Sequence, residues 1–238
     1  MKTFFYMLAL TMVFAACSNT KDTTGKKGST TFKEGHIVYG MEMEGNPMAA
    51  MLGDITLGLY FTERHAKMEM NMGSMMNTTT VVDNKDKKGI VLMSIPMMQK
   101  NNASKLDKEY LEKATEDQAN QKPTKVEYDP KSKKTIAGYD CYKAIVELAN
   151  LEEPAIVYIT EKLKPNTEGL NMKFANLKGF PLYYEIKQQG MTITMEAKEI
   201  STKAPDKSMF SLEIPAEYTE VDIEDLMEGL GGGGGMGF

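Results

Sequence analysis

The sequence has few of the residues on which most enzyme and metal sites depend. Its 238 residues include no tryptophan, two cysteines and two histidines. So few cysteines exclude a disulfide-dense scaffold and a cysteine-rich zinc module, and two histidines exclude a site with several histidine ligands. No nucleophile elbow, zinc-protease helix motif or phosphate-binding loop occurs in the sequence. We therefore predict that the protein is not an enzyme and uses no cofactor.

Positive charge is also scarce. The chain has 28 lysines and arginines against 33 acidic residues, a net charge of −5. Nucleic-acid binding depends on a concentrated positive field, so nucleic acid is excluded as a partner. Hydrophobic residues make up 42% of the chain, which is enough for a proper core. Because no internal repeat or second boundary appears, we expect one domain.

The first residues have the pattern of an export signal. Lys2 is followed by the apolar run 4–14 and by two alanines directly before Cys17. The run is shorter than the roughly 20 apolar residues that span a bilayer. Small residues before a cysteine resemble the bacterial lipoprotein signal, in which a diacylglycerol is attached to the thiol. That resemblance implies a signal peptide over 1–16 and a membrane anchor at Cys17; the alternative is an ordinary signal peptide with an incidental cysteine.

Both ends of the mature chain are predicted to be unstructured. Residues 17–33 are rich in Ser, Thr, Lys and Gly and predict a flexible tether. Residues 222–238 are acidic and then nearly all glycine, which predicts a disordered tail. Residues 34–221 are expected to form a single β-rich domain that binds a ligand or a partner.

Ser18 stands where an aspartate signals inner-membrane retention in some bacteria. We therefore expect the protein to be anchored to the outer membrane, at its periplasmic face or at the cell surface.

Alternation of apolar and polar residues dominates the predicted domain. It is clearest at 36–43, 55–62, 67–72 and 191–198, and a period of two is typical of strands with one buried face. Further strand-like runs lie at 78–82, 89–95, 125–128, 135–137, 142–148, 155–160, 182–187 and 210–214. Short connections between the runs favour antiparallel pairing.

One segment, 104–121, has the composition of a helix. It contains strong helix formers and a narrow apolar stripe, formed by Leu106, Tyr110, Leu111 and Ala114. A second short helical turn is expected near 170–177. The predicted fold is therefore mainly β: a curved antiparallel sheet or open half-barrel of about ten or eleven strands, with one or two covering helices.

Methionine is unusually frequent, with 21 in the chain. Met41 and Met43 fall on one predicted strand face, and Met68, Met70 and Met72 fall on another. Methionine is flexible and polarizable and suits adaptable apolar surfaces. These five residues are therefore either ordinary core or the wall of a site for an apolar ligand, such as a lipid or an acyl chain.

Thioethers also select Cu(I), which leaves a metal site as the alternative. His65 lies shortly before Met68, Met70 and Met72 in the sequence. These four residues are the candidate Cu(I) ligands of a periplasmic copper-binding protein.

The second cysteine is predicted to be a buried packing residue. If Cys17 is lipidated, Cys141 has no partner for a disulfide, and unpaired cysteines are usually buried and inert.

Several short motifs occur in an order that is more informative than any one of them. They are Gly35-x-Ile37-x-Tyr39, Ile136-x-Gly138-Tyr139-x-Cys141, Tyr158-Ile159-Thr160, Gly179-Phe180-Pro181-Leu182 and Phe210-x-x-x-Ile214-Pro215-x-x-Tyr218. Over roughly 34–219 this order resembles an uncharacterised family of bacterial lipoproteins with a domain of unknown function (DUF4412-like). That family resembles in turn the lipoprotein carriers LolA and LolB.

The resemblance implies an open half-barrel whose mouth is covered by helices and whose concave side is apolar. It supplies no catalytic residue. The arginine that gates the carriers' ligand has no assignable counterpart, since Arg64 is the only arginine in the chain. Together these features predict a lipid-anchored outer-membrane lipoprotein with a non-catalytic role, which binds an apolar ligand or an envelope protein partner.

Overall fold

A single sheet of twelve strands makes up most of the computed structural model, which describes residues 33–45, 53–120, 123–149, 151–165, 170, 174 and 177–231. The strands are β1 (Gly35–Glu44), β2 (Ile55–Phe61), β3 (His65–Asn71), β4 (Asn77–Asp83), β5 (Lys88–Ile95), β6 (Lys100–Leu106), β7 (Lys125–Ile136), β8 (Tyr139–Glu147), β9 (Ala155–Thr160), β10 (Phe180–Gln188), β11 (Met191–Ser201) and β12 (Thr219–Glu220). Their order across the sheet is β12-β6-β5-β4-β3-β2-β1-β11-β10-β9-β8-β7.

Most strands pair with their neighbours in the sequence. The two halves of the sheet join where β1 pairs antiparallel with β11. The short β12 is parallel to β6, whereas the other ten pairings are antiparallel. The mainly β fold, with a curved open antiparallel sheet and few helices, is therefore confirmed.

The first helix, α1 (Lys108–Asn120), begins later than predicted. Ser104 and Leu106 belong to β6, where they pair with Val91 and Gly89 of β5. The helix starts after Asp107, whose carboxylate accepts a hydrogen bond from the backbone N–H of Tyr110 at 2.8 Å. This side-chain cap satisfies one of the free N–H groups at the helix start and fixes the boundary.

The second helix, α2 (Ile223–Gly231), lies where disorder was predicted. The prediction of a disordered tail from residue 222 is therefore wrong for this segment. Leu226 is fully buried, and Glu224 and Asp225 lie in the first turn, where negative charge favours a helix. The burial of Leu226 and the favourable interaction of Glu224 and Asp225 with the helix dipole thus stabilise the helix by more than its glycines destabilise it. Residues 232–238 lie outside the described residues, as do 1–32 with the predicted signal peptide and most of the tether.

The run 210–214, predicted as a strand, does not join the sheet. It follows a one-turn 3₁₀ helix (Lys207–Phe210) that is capped by the Asp206 side chain. Phe210 packs with Val81 and Ile90 in a small cluster on one face of β4 and β5. The alternation of apolar and polar residues in the run 210–214 therefore arises because this segment crosses one face of the sheet and packs its apolar side chains against the strands.

The two faces of the sheet differ in character. On β1 the buried side chains include Ile37, Tyr39, Met41 and Met43. We call the face that bears them the methionine face. The side chains of His36, Val38 and Glu42 alternate with them on the other side of β1, which we call the polar face. The 3₁₀ helix and the segment after it pack on the polar face.

Candidate functional site

The five predicted methionines lie on one face of the sheet, along β1 and β3 and directly after β3. Met41 of β1 pairs with Ile55 of β2, and Met68 and Met70 of β3 pair with Leu59 and Leu57 of the same strand. Because β2 lies between them, the two predicted methionine strands form one surface. Met41, Met43, Met70 and Met72 belong to a single buried hydrophobic cluster, the methionine cluster, and Met68 packs against it; the cluster also contains Tyr39, Phe61, Leu163, Leu170 and Met195.

The methionine cluster has a buried base and a more accessible part. Met70 and Met72 are 6% and 1% exposed. Met68, Met75 and Met76 are only partly buried and pack against the same cluster. A polar change at Met70 would therefore act mainly on stability, whereas a change at Met68 alters a surface that a ligand can reach.

The covering segments are divided between the two ends of the sheet. The described side chains of α1 pack through Leu111 with Val82 and Leu106, at the end formed by β4 to β6. Leu163 and Leu170, which follow β9, pack against the methionine cluster instead. The predicted helix therefore covers a neighbouring part of the sheet. The second predicted helical turn falls mostly outside the described residues.

The structure does not bring the four candidate copper ligands together. His65 alternates with Met68, Met70 and Met72 along β3 and therefore lies on the polar face. Its ring stacks on Phe210 with the centroids 5.4 Å apart. His65 and the three methionines are on opposite sides of the sheet, because residues separated by an odd number of positions along a strand point to opposite faces. Among the described residues, no group of three or more His, Cys, Asp or Glu side chains is placed to hold a metal ion.

The only arginine of the sequence has a structural role. Arg64 donates to the carboxylate of Asp83 from Nε at 2.9 Å and from Nη2 at 2.5 Å, and to Asp86 at 2.7 Å. Asp83 also accepts from the backbone N–H groups of Lys85 and Asp86. These hydrogen bonds, with Arg64 as the largest influence, lower the pKa of Asp83 to about 2. The hydrogen bonds of Arg64 therefore connect the turn before β3 to the turn after β4.

The polar face contains a groove that no pattern in the sequence predicts. It is a partly open cavity of about 360 Å³ at the middle of β1 to β4. We call it the threonine groove; its lining includes Thr56, Gly58, Tyr60, Glu69, Asn77 and Thr79. The register places Gly58, Glu69 and Thr79 in one row across the sheet, with Thr56, Asn71 and Asn77 in the next. The groove exists because these rows carry glycine and short side chains.

One wall of the threonine groove is a connected set of polar groups. The Tyr60 hydroxyl hydrogen-bonds the Glu69 carboxylate, and Lys67 Nζ lies 2.6 Å from Glu69 Oε1. Burial and the neighbouring Glu69 raise the pKa of Tyr60, so its hydroxyl stays protonated at neutral pH. The Tyr60 ring lies directly on Gly58, since a Cβ added there would be 2.8 Å from Tyr60 Cε2.

Cys141 is a free cysteine with 1% of its surface exposed. Burial, followed by the charge of Asp140, raises the pKa of its thiol to about 12. The prediction of a buried thiol is confirmed, and a nucleophilic role is not supported.

No protein-family model matches the sequence, and no curated protein matches it. The resemblance to the lipoprotein family therefore stays a prediction. Solved structures do match at low similarity. An uncharacterised conserved protein from Thermus thermophilus is 10% identical, with a TM-score of 0.47 over 80% of this chain and 90% of that chain. The complex of MucA and MucB from Pseudomonas aeruginosa matches at 11% identity and a TM-score of 0.42, over 77% and 56% of the two chains.

The lipoprotein LppX of Mycobacterium tuberculosis also matches, at 11% identity and a TM-score of 0.36, over 73% of this chain and 89% of that chain. In a further match this chain spans only 33% of the other chain's length. Because these TM-scores are all below 0.5, we infer neither family nor ligand from them. Within the described part of the chain, no helix is long and apolar enough to cross a membrane.

Proposed function

We propose that the protein is a lipid-anchored lipoprotein of the outer membrane that binds an apolar ligand, such as a lipid or acyl chain, on its methionine face. The observation that carries the proposal is the merging of the methionines of β1 and β3 into one cluster. Flexible thioether side chains can repack around ligands of different shape. Burial of an acyl chain there gains roughly 25 cal/mol for each Å² of apolar surface.

A binding role also agrees with the state of the reactive groups. The Cys141 thiol is buried and its pKa is raised, and the buried Asp83 carboxylate is held by Arg64. Neither group is arranged to transfer a proton or attack a substrate. An envelope protein partner is the second candidate for the ligand, since an exposed acyl chain and an apolar peptide segment offer similar chemistry.

The binding test compares two methionines with different positions. Met68 lies in the accessible part of the methionine cluster, whereas Met97 is 72% exposed at the turn between β5 and β6. In a fluorescence titration with a dansyl-labelled fatty acid, Met68→Gln is expected to weaken binding about tenfold, because it places a polar amide against the acyl chain. Met97→Gln is expected to bind as the wild type does. Absence of saturable binding by the wild type, or equal affinity of the two variants, would contradict the proposal.

The anchor is tested separately at Cys17, which lies outside the described residues. Replacing Cys17 with Ser removes the thiol to which the lipid is attached. We expect the variant in the soluble or unprocessed fraction, because stable anchoring depends on the acyl chains of the mature lipoprotein. Fractionation of membranes with an antibody against the folded domain measures the outcome, and Cys141→Ser serves as the matched control. Processed Cys17→Ser protein that remains with membranes would rule out the lipid anchor.

A further inference from the structure

The threonine groove has the size and composition of a site for a small polar ligand. Its volume of about 360 Å³ lies within the range of roughly 300–1,000 Å³ that is typical of small-molecule sites. Its hydrogen-bonding groups include the hydroxyls of Thr56 and Thr79, the Asn77 amide and the Glu69 carboxylate. Hydroxyls and amides both donate and accept, so they suit a ligand that also does both.

The charged side chains beside the groove form an ion pair with each other. Lys67 Nζ is 2.6 Å from Glu69 Oε1, and the Lys67 side chain is only 11% exposed. Glu69 also accepts the hydrogen bond of the Tyr60 hydroxyl. An entering anion would meet the Glu69 carboxylate, and an entering cation would compete with Lys67 for it. The groove therefore favours an uncharged ligand.

Tyr60 supplies a fixed aromatic surface at one side of the groove. Its ring is held against Gly58, the His36 ring lies 5.6 Å away, and Lys67 Nζ lies 5.8 Å from its centroid. The flat face of an aromatic ring receives the C–H face of a sugar ring, whose hydroxyls then point outward to polar partners.

One amide oxygen in the wall of the groove has no hydrogen-bond partner among the described residues. Asn77 Oδ1 is buried and makes no hydrogen bond to any described residue. Buried amide oxygens are nearly always satisfied, and each exception calls for an explanation. The oxygen is covered in the structure, so a ligand hydroxyl in the threonine groove would reach it after the Asn77 side chain rotates toward the groove.

We propose that the threonine groove binds the neutral ring of a saccharide, stacked on Tyr60 and hydrogen-bonded by Asn77, Glu69 and the groove threonines. This site is on the polar face and is therefore independent of the apolar ligand proposed for the methionine face.

The test is a set of titrations of the purified ¹⁵N-labelled protein, followed by its backbone amide signals. Glucose, galactose and N-acetylglucosamine are added separately to about 50 mM, and phosphate and decanoate are the comparison probes. At least one sugar is expected to cause saturable shifts that are largest at residues 56–60, 69–71 and 77–79. Shifts of these amides by phosphate or decanoate alone, or by no probe, would overturn the proposal.

Two variants and one control connect binding to the groove. Gly58→Ala places a methyl group where the Tyr60 ring now lies, so the ring must move and sugar affinity is expected to fall about tenfold or more. Tyr60→Ala removes the ring and gives the same loss if Gly58→Ala does not fold. Tyr218→Ala makes the same chemical change at a partly buried tyrosine outside the groove and should leave affinity unchanged. Equal affinity of the groove variants and the control would also overturn the proposal.

Discussion

Asp83→Ala is expected to lower the free energy of unfolding by roughly 2–3 kcal/mol, because the Arg64 guanidinium and two backbone N–H groups lose the buried carboxylate that accepts their hydrogen bonds. The Asp83 side chain is 3% exposed and accepts from the Arg64 guanidinium and from two backbone N–H groups. Its loss would release the turn before β3 from the turn after β4. Urea denaturation of wild type and variant measures the difference.

Asp86→Ala is the matched control for this prediction. Asp86 contacts the same Nη2 of Arg64 at 2.7 Å, but its side chain is 43% exposed. An exposed ion pair contributes roughly 0–1 kcal/mol, so this variant should unfold close to the wild type. The burial of Asp83, and not contact with arginine as such, would then account for the difference. Similar losses in both variants would show that the buried carboxylate is not the source of the stability.

The pH dependence of stability provides a second readout. The pKa of Asp83 is lowered to about 2 in the folded state from its ordinary value of 3.8. A lowered carboxyl pKa contributes stability that is fully present above the unfolded pKa and is lost as the pH falls through the folded pKa. We expect roughly 2 kcal/mol of stability from this ionisation, lost between about pH 4 and pH 2. The cost of Asp83→Asn should therefore shrink over that interval, and a cost that stays constant would contradict the assignment.

The strands with one apolar face could be predicted from the sequence because their alternation is a direct consequence of backbone geometry. The segments 36–43, 55–62, 67–72 and 191–198 correspond to β1, β2, β3 and β11. β6 was missed because its sequence, KNNASKL, has little apolar character. Asn102 and Ser104 are nevertheless buried there, since pairing with β5 and β12 satisfies their backbone groups. Such pairing is not local and leaves no periodic signal.

The candidate sites could likewise be predicted from the sequence only in part. That Met68, Met70 and Met72 share a face follows from period two, but their junction with Met41 depends on β2 lying between the two strands. The same alternation also places His65 on the opposite face of β3, so the strand pattern by itself argues against the copper set. The threonine groove forms because the side chains along it are short. The only indication of it in the sequence is Gly58, which lies within a largely apolar strand.

The second large effect is expected in the reactivity of Cys141. With a pKa of about 12, the thiol at pH 8 is ionised in about one molecule in 10⁴, whereas an ordinary thiol of pKa about 8.5 is substantially ionised. Ionisation alone should therefore slow labelling by a disulfide reagent roughly 10³-fold or more relative to unfolded protein. The side chain is also 1% exposed, so the reagent must wait for the surrounding structure to open. Cys17→Ser protein gives a signal from Cys141 alone, and its guanidinium-unfolded form gives the reference rate.

Slow labelling then reports on how the structure opens. If Cys141 becomes reactive only on global unfolding, its labelling rate follows the population of unfolded molecules when opening and closing are fast. Asp83→Ala, which lies in the other half of the sheet, should then accelerate labelling by up to about 10²-fold for a loss of roughly 2–3 kcal/mol. Asp86→Ala should leave the rate almost unchanged. Acceleration by neither variant would mean that the region around Cys141 opens locally, and labelling of native protein at the unfolded rate would mean that the thiol is exposed.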